Sequence, residues 1–192
     1  IGSQNVLTTL FSTDDTKKNE DFSEKTIAEL VRACFEMGKV KTGALIVIER
    51  GTPLGEIERT GIEVDGIVTS QLLINIFEHN TPLHDGAVVI RGNRVTAATC
   101  YLPLSDNMDI SKALGTRHRA AVGVSEATDS VTLVVSEETG RVSVAVSGRL
   151  KSVKDGDELR DMLSVLVKRE TENTGRFRIW KGRRRNERKA DE

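Results

Sequence analysis

The sequence predicts an α/β (α+β) fold: one globular domain with a central mixed β-sheet and α-helices packed on its faces. Segments with helical periodicity interleave with strand-like apolar runs, which is typical of a sheet covered by helices. Two pairs of these runs are joined by short turns, so part of the sheet is expected to be antiparallel. A length of 192 residues lies in the usual range for a single core, and the sequence contains no internal repeats.

The first half of the chain begins with a predicted linker at residues 1–21, which mix polar and scattered apolar residues. A helix is predicted from Ser23 to Met37, because apolar residues recur at intervals of three and four, Ser23 can cap it and Gly38 can end it. The continuous apolar run from Gly43 to Glu49 predicts a strand buried on both faces. The segments that follow are predicted to be a loop at 51–55, a short strand at 62–68 and a helix at 69–79.

Two hairpins are predicted in the second half. The first joins strands at 86–91 and 94–102 through the turn pair Gly92-Asn93, and the second joins 130–136 to 141–146. Between them, a loop at 103–109 and a helical turn at 110–114 lead to a helix predicted from Arg117 to Ala127. A last helix is predicted from Asp155 to Glu170, with an apolar stripe at Leu159, Met162, Leu163, Leu166 and Val167.

The charge balance argues against a chain that binds polyanions with its whole surface, since 28 Lys and Arg face 29 Asp and Glu. Residues 175–189 nevertheless hold eight basic residues and one acidic residue, so 171–192 is predicted to be a basic, flexible tail. The short cluster from Arg176 to Lys189 could bind nucleic acid. A solvated tail, or a segment near anionic lipid, is the favoured interpretation.

Cys34 and Cys100 lie on apolar segments without metal-ligand spacing, which predicts free buried thiols in a reducing compartment. The sequence has neither a run of eighteen apolar residues nor a signal-peptide pattern. It begins with Ile1 rather than Met, so we expect it to be a fragment of a longer protein.

The first candidate site is His84-Asp85-Gly86-Ala87, which directly precedes a buried strand. A carboxylate beside an imidazole can bind a divalent metal or act on a hydroxyl proton. Gly86 would let a phosphate or ribose approach the backbone closely, and Ala87 would keep that surface shallow. The alternative is an ordinary Asp-Gly turn before a strand.

The second candidate site is Gly115-Thr116-Arg117-His118-Arg119, at the start of a predicted helix. Helix N-termini favour anions through free amides and the macrodipole, and two guanidinium groups with a threonine hydroxyl add donors. A helix start with no bound anion would favour Asp or Glu instead. The cationic start therefore predicts a phosphate site.

Two further segments have both a functional and a structural interpretation. Ser136-Glu137-Glu138-Thr139-Gly140 is either a polar hairpin loop or a second source of carboxylates for a metal. Tyr101-Leu102 could lie against a flat base or belong to the core. The sequence contains neither a P-loop nor a dinucleotide-binding glycine signature, so a nucleotide would have to be bound in another way.

These segments together resemble the diadenylate cyclase domain family. The resemblance rests on Asn80–Ala87 with its Asp-Gly-Ala motif, Tyr101–Ser105, and Leu114–Ala121 with its Arg-His-Arg motif. Gly43–Ile46 and Val135–Gly140 also match, in the same order. The catalytic domain is therefore expected at 22–170. Within the family, the chain is most similar to membrane-tethered members, whose soluble domain follows transmembrane helices, so the linker at 1–21 would follow a missing membrane region.

The resemblance implies a twisted mixed sheet and the condensation of two ATP molecules into cyclic di-AMP with release of two pyrophosphates. It implies that Asp85 binds a divalent metal (Mn²⁺, Mg²⁺ or Co²⁺) and activates the ribose 3′-hydroxyl, with His84 and Glu138 as further metal ligands. Gly86 and Ala87 would shape the approach of ribose and phosphate. The other implied ATP-binding residues are Tyr101 and Leu102 at adenine, and Gly115, Thr116, Arg117, His118, Arg119, Ser136 and Glu137 around the phosphates.

The resemblance also implies a homodimer whose domains face each other, each holding one ATP. The longer protein would lie at the cytoplasmic side of the cell membrane with a membrane-bound regulatory partner, whereas this fragment would be soluble and would not bind nucleic acid. The alternative function is a catalytically inactive domain of the same fold that senses adenine nucleotides. The intact Asp85 and both arginines argue against this alternative.

Overall fold

The computed structural model describes residues 22–107 and 114–166. The helices are α1 (Glu24–Lys39), α2 (Gly55–Glu58), α3 (Ser70–Phe77), α4 (Thr116–Ala127) and α5, which begins at residue 156 and is described to residue 166. The strands are β1 (Ala44–Ile48), β2 (Ile62–Ile67), β3 (Ala87–Arg91), β4 (Arg94–Cys100), β5 (Val131–Val135), β6 (Val142–Val146) and β7 (Arg149–Ser152).

The strands form one mixed sheet in the order β2-β4-β3-β1-β5-β6-β7. Only β1 and β3 are parallel, and the other neighbouring pairs are antiparallel. The central strand β1 is buried at all five positions, because it has a neighbour on each side and helices above and below. The predicted mixed sheet and its buried central strand are confirmed.

Helices cover both faces of the sheet. Alternate side chains of β1 point to opposite faces, so Ile46 joins a core with α1, α3 and α5, whereas Val47 joins a core with α4. The first core contains Leu30, Phe77 and Leu159, and the second contains Leu54, Ala121 and Val124. The sheet is therefore held between two apolar layers, and its strand ends are fixed in position.

The predicted limits of the first helix are close to those observed. Ser23 is the N-cap and accepts a hydrogen bond from the Thr26 amide at 3.1 Å. The helix continues through Gly38 to Lys39. A Cβ atom on Gly38 would lie 2.5 Å from the carbonyl oxygen of Gly140, so this glycine allows the end of α1 to pack closely against the β5–β6 loop.

Two elements were not predicted. The short helix α2 has only four residues, too few to show a helical period, and the edge strand β7 is polar and largely exposed. Most of the helical turn predicted at 110–114, the linker at 1–21 and the tail at 171–192 lie outside the described residues. Both cysteines are free and buried, as predicted. In the described part of the chain, we find no helix that combines the length and hydropathy needed to span a membrane.

Candidate functional site

The candidate residues gather at the side of the sheet where several strands begin or end. We call this side the common sheet edge, as distinct from the edge strands β2 and β7. Ala87 at the start of β3 pairs with Cys100 at the end of β4, and Ala44 at the start of β1 pairs with Val135 at the end of β5. Because β1 and β3 run parallel, all four of these strand ends lie at the same edge. The segments before β3, after β4 and after β5 are three of the predicted site segments, and the topology places them at this edge with β1 between β3 and β5.

Asp85 is exposed, and within residues 22–107 and 114–166 its carboxylate forms no hydrogen bond. The neighbouring His84 is partly buried, and its Nδ1 lies 2.6 Å from the carbonyl oxygen of Thr81. A carbonyl oxygen only accepts, so Nδ1 carries the proton and a neutral ring leaves Nε2 as an acceptor. This arrangement is common in histidines that bind metals.

Gly86 is required by the fold, for a reason other than the one predicted. Its φ is +100°, and a Cβ atom there would lie 2.8 Å from the carbonyl carbon of Thr99 and 3.0 Å from the carbonyl oxygen of Cys100. The close approach that needs a glycine is thus made by β4, and contact of Gly86 with a ligand stays a prediction. Ala87 was expected to form part of a shallow surface for the ligand. The structure instead buries its methyl group fully in the core on the α4 side of the sheet.

Tyr101 and Leu102 follow β4 and have different surroundings. The side chain of Tyr101 is 74% exposed, whereas that of Leu102 is only 4% exposed and packs in the core with α4. The Tyr101 amide donates a 2.8 Å hydrogen bond to the hydroxyl of Thr60, which in turn donates to the carbonyl oxygen of Ile57 at 2.7 Å. The phenol can contact a flat ligand, and Thr60 holds the backbone beneath it.

A cavity of about 220 Å³ lies at the N-terminus of α4, and we call it the α4 cavity. It is lined by Gly115, Thr116, Arg117 and His118 from the start of the helix and by Ser136, Glu137 and Glu138 from the β5–β6 loop. Gly115 is the N-cap and provides no side-chain cap, so the first amides of α4 have no capping side chain. Such amides and the helix dipole favour an anion.

Arg117 is held in place by two segments from the sheet. Its Nη1 donates to Oε2 of Glu137 at 2.6 Å, and a Cβ atom on Gly43 would lie 2.9 Å from its Cζ. The guanidinium group therefore lies between the start of β1 and the loop after β5. The sequence indicated Glu137 as an ATP contact, but did not indicate its ion pair with Arg117 or the role of Gly43.

His118 is 7% exposed. Burial lowers the pKa of His118, the carboxylate of Glu138 opposes that shift, and the charge of Arg117 adds to it. The imidazole is consequently neutral at pH 7 and can contribute a hydrogen bond but no positive charge. Within the described residues, Glu138 forms no ion pair and remains available as a ligand.

Arg119 lies on α4 but does not line the cavity. Its Nη1 contacts the carbonyl oxygen of Ser105 at 3.4 Å, and its own carbonyl oxygen accepts from the Ser105 amide at 3.0 Å. The hydroxyl of Ser105 donates to Glu126 at 2.9 Å. Arg119 thus anchors the loop that follows Tyr101 and Leu102 to the helix that carries the Arg-His-Arg motif.

The structure brings part of the predicted set together in one cavity. Gly115, Thr116, Arg117, His118, Ser136, Glu137 and Glu138 line it, whereas His84, Asp85, Tyr101, Leu102 and Arg119 do not. In the stretches 22–107 and 114–166, no three His, Cys, Asp or Glu side chains are grouped so that they could hold a metal ion. The two predicted motifs therefore lie at one sheet edge without forming a shared, closed site.

Comparison with known proteins decides the family. Residues 31–150 match the family model DAC, described as "DisA bacterial checkpoint controller nucleotide-binding". The chain belongs to this family. The match covers every candidate residue at the sheet edge, and it confirms the resemblance inferred from the motifs.

Several relatives have informative names. The chain is 51% identical over 166 residues to the cyclic di-AMP synthase CdaA of Bacillus subtilis, covering 86% of this chain and 61% of that protein. It is 47% identical over 157 residues to a diadenylate cyclase of Listeria monocytogenes, covering 81% of this chain and 58% of the relative. The chain thus spans about three fifths of the length of these two DAC proteins.

Solved structures of similar proteins share the fold. The crystal structure of a double mutant of DacA from Staphylococcus aureus has a TM-score of 0.72 at 48% identity, covering 73% of this chain and 94% of that one. A hypothetical membrane spanning protein from Bacillus cereus has a TM-score of 0.66 at 42% identity, covering 68% and 64%. The arrangement of sheet and helices described above is therefore that of the DAC domain.

Proposed function

We propose that this DAC domain is a diadenylate cyclase, which joins two ATP molecules into cyclic di-AMP and releases two pyrophosphates. The observation that carries the proposal is the common sheet edge, where an exposed carboxylate before β3 and a cavity suited to phosphate after β5 lie on either side of the central strand β1. Nucleotidyl transfer needs in-line positioning and charge stabilisation more than covalent catalysis, and these two features supply both.

The α4 cavity would bind the phosphates of one ATP. The amides at the start of α4 and the hydroxyl of Thr116 offer donors. The hydroxyl of Ser136 accepts from the Thr139 amide at 3.2 Å, so its own proton is free to be donated to a phosphate oxygen. Arg117 directs one nitrogen to Glu137 and keeps other N–H groups for the ligand.

Asp85 would act on the ribose 3′-hydroxyl, accepting its proton as the oxygen attacks an α-phosphate. Asp85 is exposed and outside the α4 cavity, which fits a carboxylate that acts on a nucleotide shared with a second subunit. We therefore propose a homodimer with the two sheet edges face to face, each holding one ATP. Tyr101, whose ring is exposed on the same edge, would contact adenine.

A divalent metal fits the side chains present, although they form only part of a ligand set. Nε2 of His84 is an available acceptor, and the carboxylates of Asp85 and Glu138 have no ion-pair partner in the described part of the chain. Since no three such groups are clustered in residues 22–107 and 114–166, phosphate oxygens or the second subunit would have to complete the set. Mn²⁺, Mg²⁺ or Co²⁺ would offset charge on the phosphates.

We propose that a longer protein containing this domain would lie at the cytoplasmic face of the membrane, because a similar solved structure is named a membrane spanning protein. A membrane-bound regulatory partner would act on that protein. Neither the membrane location nor the regulatory partner depends on the residues at the common sheet edge.

The deciding experiment incubates the purified chain with ATP and each metal and separates the products by chromatography and mass spectrometry. Cyclic di-AMP and pyrophosphate in a 1:2 ratio are expected. ATP binding without product would reject the cyclase in favour of a sensor.

The homodimer has its own test, in which excess inactive Asp85→Asn chain is mixed with wild type. Activity should fall because mixed pairs hold one intact carboxylate, and unchanged activity would contradict the shared site.

A further inference from the structure

The α4 cavity extends beyond the family motifs. It is also lined by Arg141, directly before β6, and by Ser143 and Ser152 on β6 and β7. These two serines face each other across the β6–β7 pair, and their Oγ atoms lie 3.1 Å apart. These three residues thus add a polar wall with one cation to the cavity at the start of α4.

The charges that line the cavity show why this cation matters. The positive charge of Arg117 is paired with Glu137 at 2.6 Å, Glu138 adds a negative charge, and burial keeps His118 neutral at pH 7. Among residues 22–107 and 114–166, no carboxylate is paired with Arg141. Arg141 is therefore the cavity-lining cation whose charge is not already offset by an acidic partner.

We infer that Arg141, with Ser143 and Ser152, forms a subsite for the terminal phosphates of a nucleotide, the part that is released as pyrophosphate. A guanidinium group recognises phosphate oxygens through paired N–H donors, and serine hydroxyls add neutral donors. This inference rests on the proposed nucleotide site, but it concerns residues outside the motifs that define that site. The subsite selects for a polyphosphate end rather than for adenine.

The position of the subsite in the strand order supports its assignment to the outer phosphates rather than to adenine. Thr116 and Ser136 line the same cavity near the end of β5, whereas Ser143 and Ser152 lie at the same side of the sheet but on the next two strands, β6 and β7. The sheet order therefore places the Ser143–Ser152 wall on the side of β5 away from Asp85 and Tyr101. A nucleotide with its adenine near Tyr101 would direct its outer phosphates toward that wall.

The test measures the binding of pyrophosphate and of AMP to the full 192-residue chain by calorimetry, in the presence of Mg²⁺. The Arg141→Gln variant should bind pyrophosphate about fivefold more weakly, the effect expected for one charge-assisted contact from an exposed residue. Its affinity for AMP, which lacks the outer phosphates, should be unchanged. Arg149→Gln is the matched control, because Arg149 on β7 is exposed, outside the cavity and has the same charge.

Several outcomes would overturn the subsite. They are an unchanged pyrophosphate affinity in Arg141→Gln, an equal loss in Arg149→Gln, an equal loss for AMP, or no pyrophosphate binding by the wild type. Arg141→Lys, which keeps the charge, should recover part of the affinity. Because the measurement is of binding, a chain that binds pyrophosphate through Arg141 but makes no cyclic product would refute the proposed cyclase and leave the subsite intact.

Discussion

Arg117 donates a hydrogen bond from Nη1 to Oε2 of Glu137 at 2.6 Å, and this pair joins the start of α4 to the loop after β5. The contact fixes the guanidinium plane beside the α4 cavity, so geometry as well as charge should matter at this position. A lysine could keep the charge but could not bridge Glu137 and a phosphate with a planar set of donors.

Arg117→Lys is therefore expected to lower kcat/KM for ATP by about tenfold or more, the effect of losing one charge-assisted hydrogen bond. Arg59→Lys is the control, because Arg59 forms a comparable 2.7 Å ion pair with Glu56 and both of these side chains are exposed. Steady-state rates of cyclic di-AMP formation would measure both. Wild-type rates in Arg117→Lys would show that only the charge is used.

Asp85→Asn is expected to reduce turnover at least about 100-fold without unfolding the protein. The carboxylate is exposed and forms no hydrogen bond within the described residues, so its replacement should change the free energy of unfolding by less than about 0.5 kcal/mol. Product assays and urea unfolding of the same preparation would measure the two effects. Asp161→Asn, at an exposed position of α5, serves as the control, and an active Asp85→Asn protein would remove Asp85 from the mechanism.

Gly86→Ala tests whether this glycine is needed for folding. A methyl group would sit 2.8 Å from the backbone of Thr99 with φ at +100°, and backbone atoms cannot move aside as a flexible side chain can. We expect a loss of about 2–4 kcal/mol in the free energy of unfolding, from overpacking and strain together. Gly55→Ala is the control, since a Cβ atom there meets nothing within 4 Å. Equal free energies of unfolding in the two variants would show that the fold does not need Gly86, and only its predicted role in ligand binding would be left.

Much of the fold follows from local patterns in the sequence. The apolar run at 43–49 is the central strand β1, and the turn pair Gly92-Asn93 joins β3 to β4 as predicted. The edge strand β7 escapes prediction because it is polar and pairs on one side only, so no alternation of burial marks it. Local pattern therefore identifies elements that bury apolar side chains and misses those that do not.

The candidate site is less accessible to sequence reasoning, because its geometry depends on contacts between distant segments. The motifs identify Asp85 and Arg117, but the hydrogen bond from the Tyr101 amide to Thr60 spans 41 positions and has no sequence signal. The same is true of Gly43 beside Arg117 and of Arg141 across the cavity. Such pairs are set by the strand order, which the sequence alone does not specify.

His118 predicts how stability changes with pH. Burial lowers the pKa of His118 in the folded protein below its usual value of about 6.5. As the pH falls through about 6.5, the unfolded chain takes up a proton while the folded chain does not, so the free energy of unfolding decreases. The decrease continues until the pH reaches the folded-state pKa of His118, and stability is regained when the pH is raised again above about 7.

Urea unfolding between pH 7.5 and 5.5 would measure this effect, with His118→Gln as the comparison. The variant keeps a polar side chain of similar size but has no proton to gain, so its stability should depend less on pH over this interval. Four carboxyls, Glu29, Glu36, Asp129 and Glu158, also have a lowered pKa, because they accept hydrogen bonds, and they affect stability only at more acidic pH. Equal pH dependence in both proteins would show that the buried imidazole already takes up its proton in the folded state.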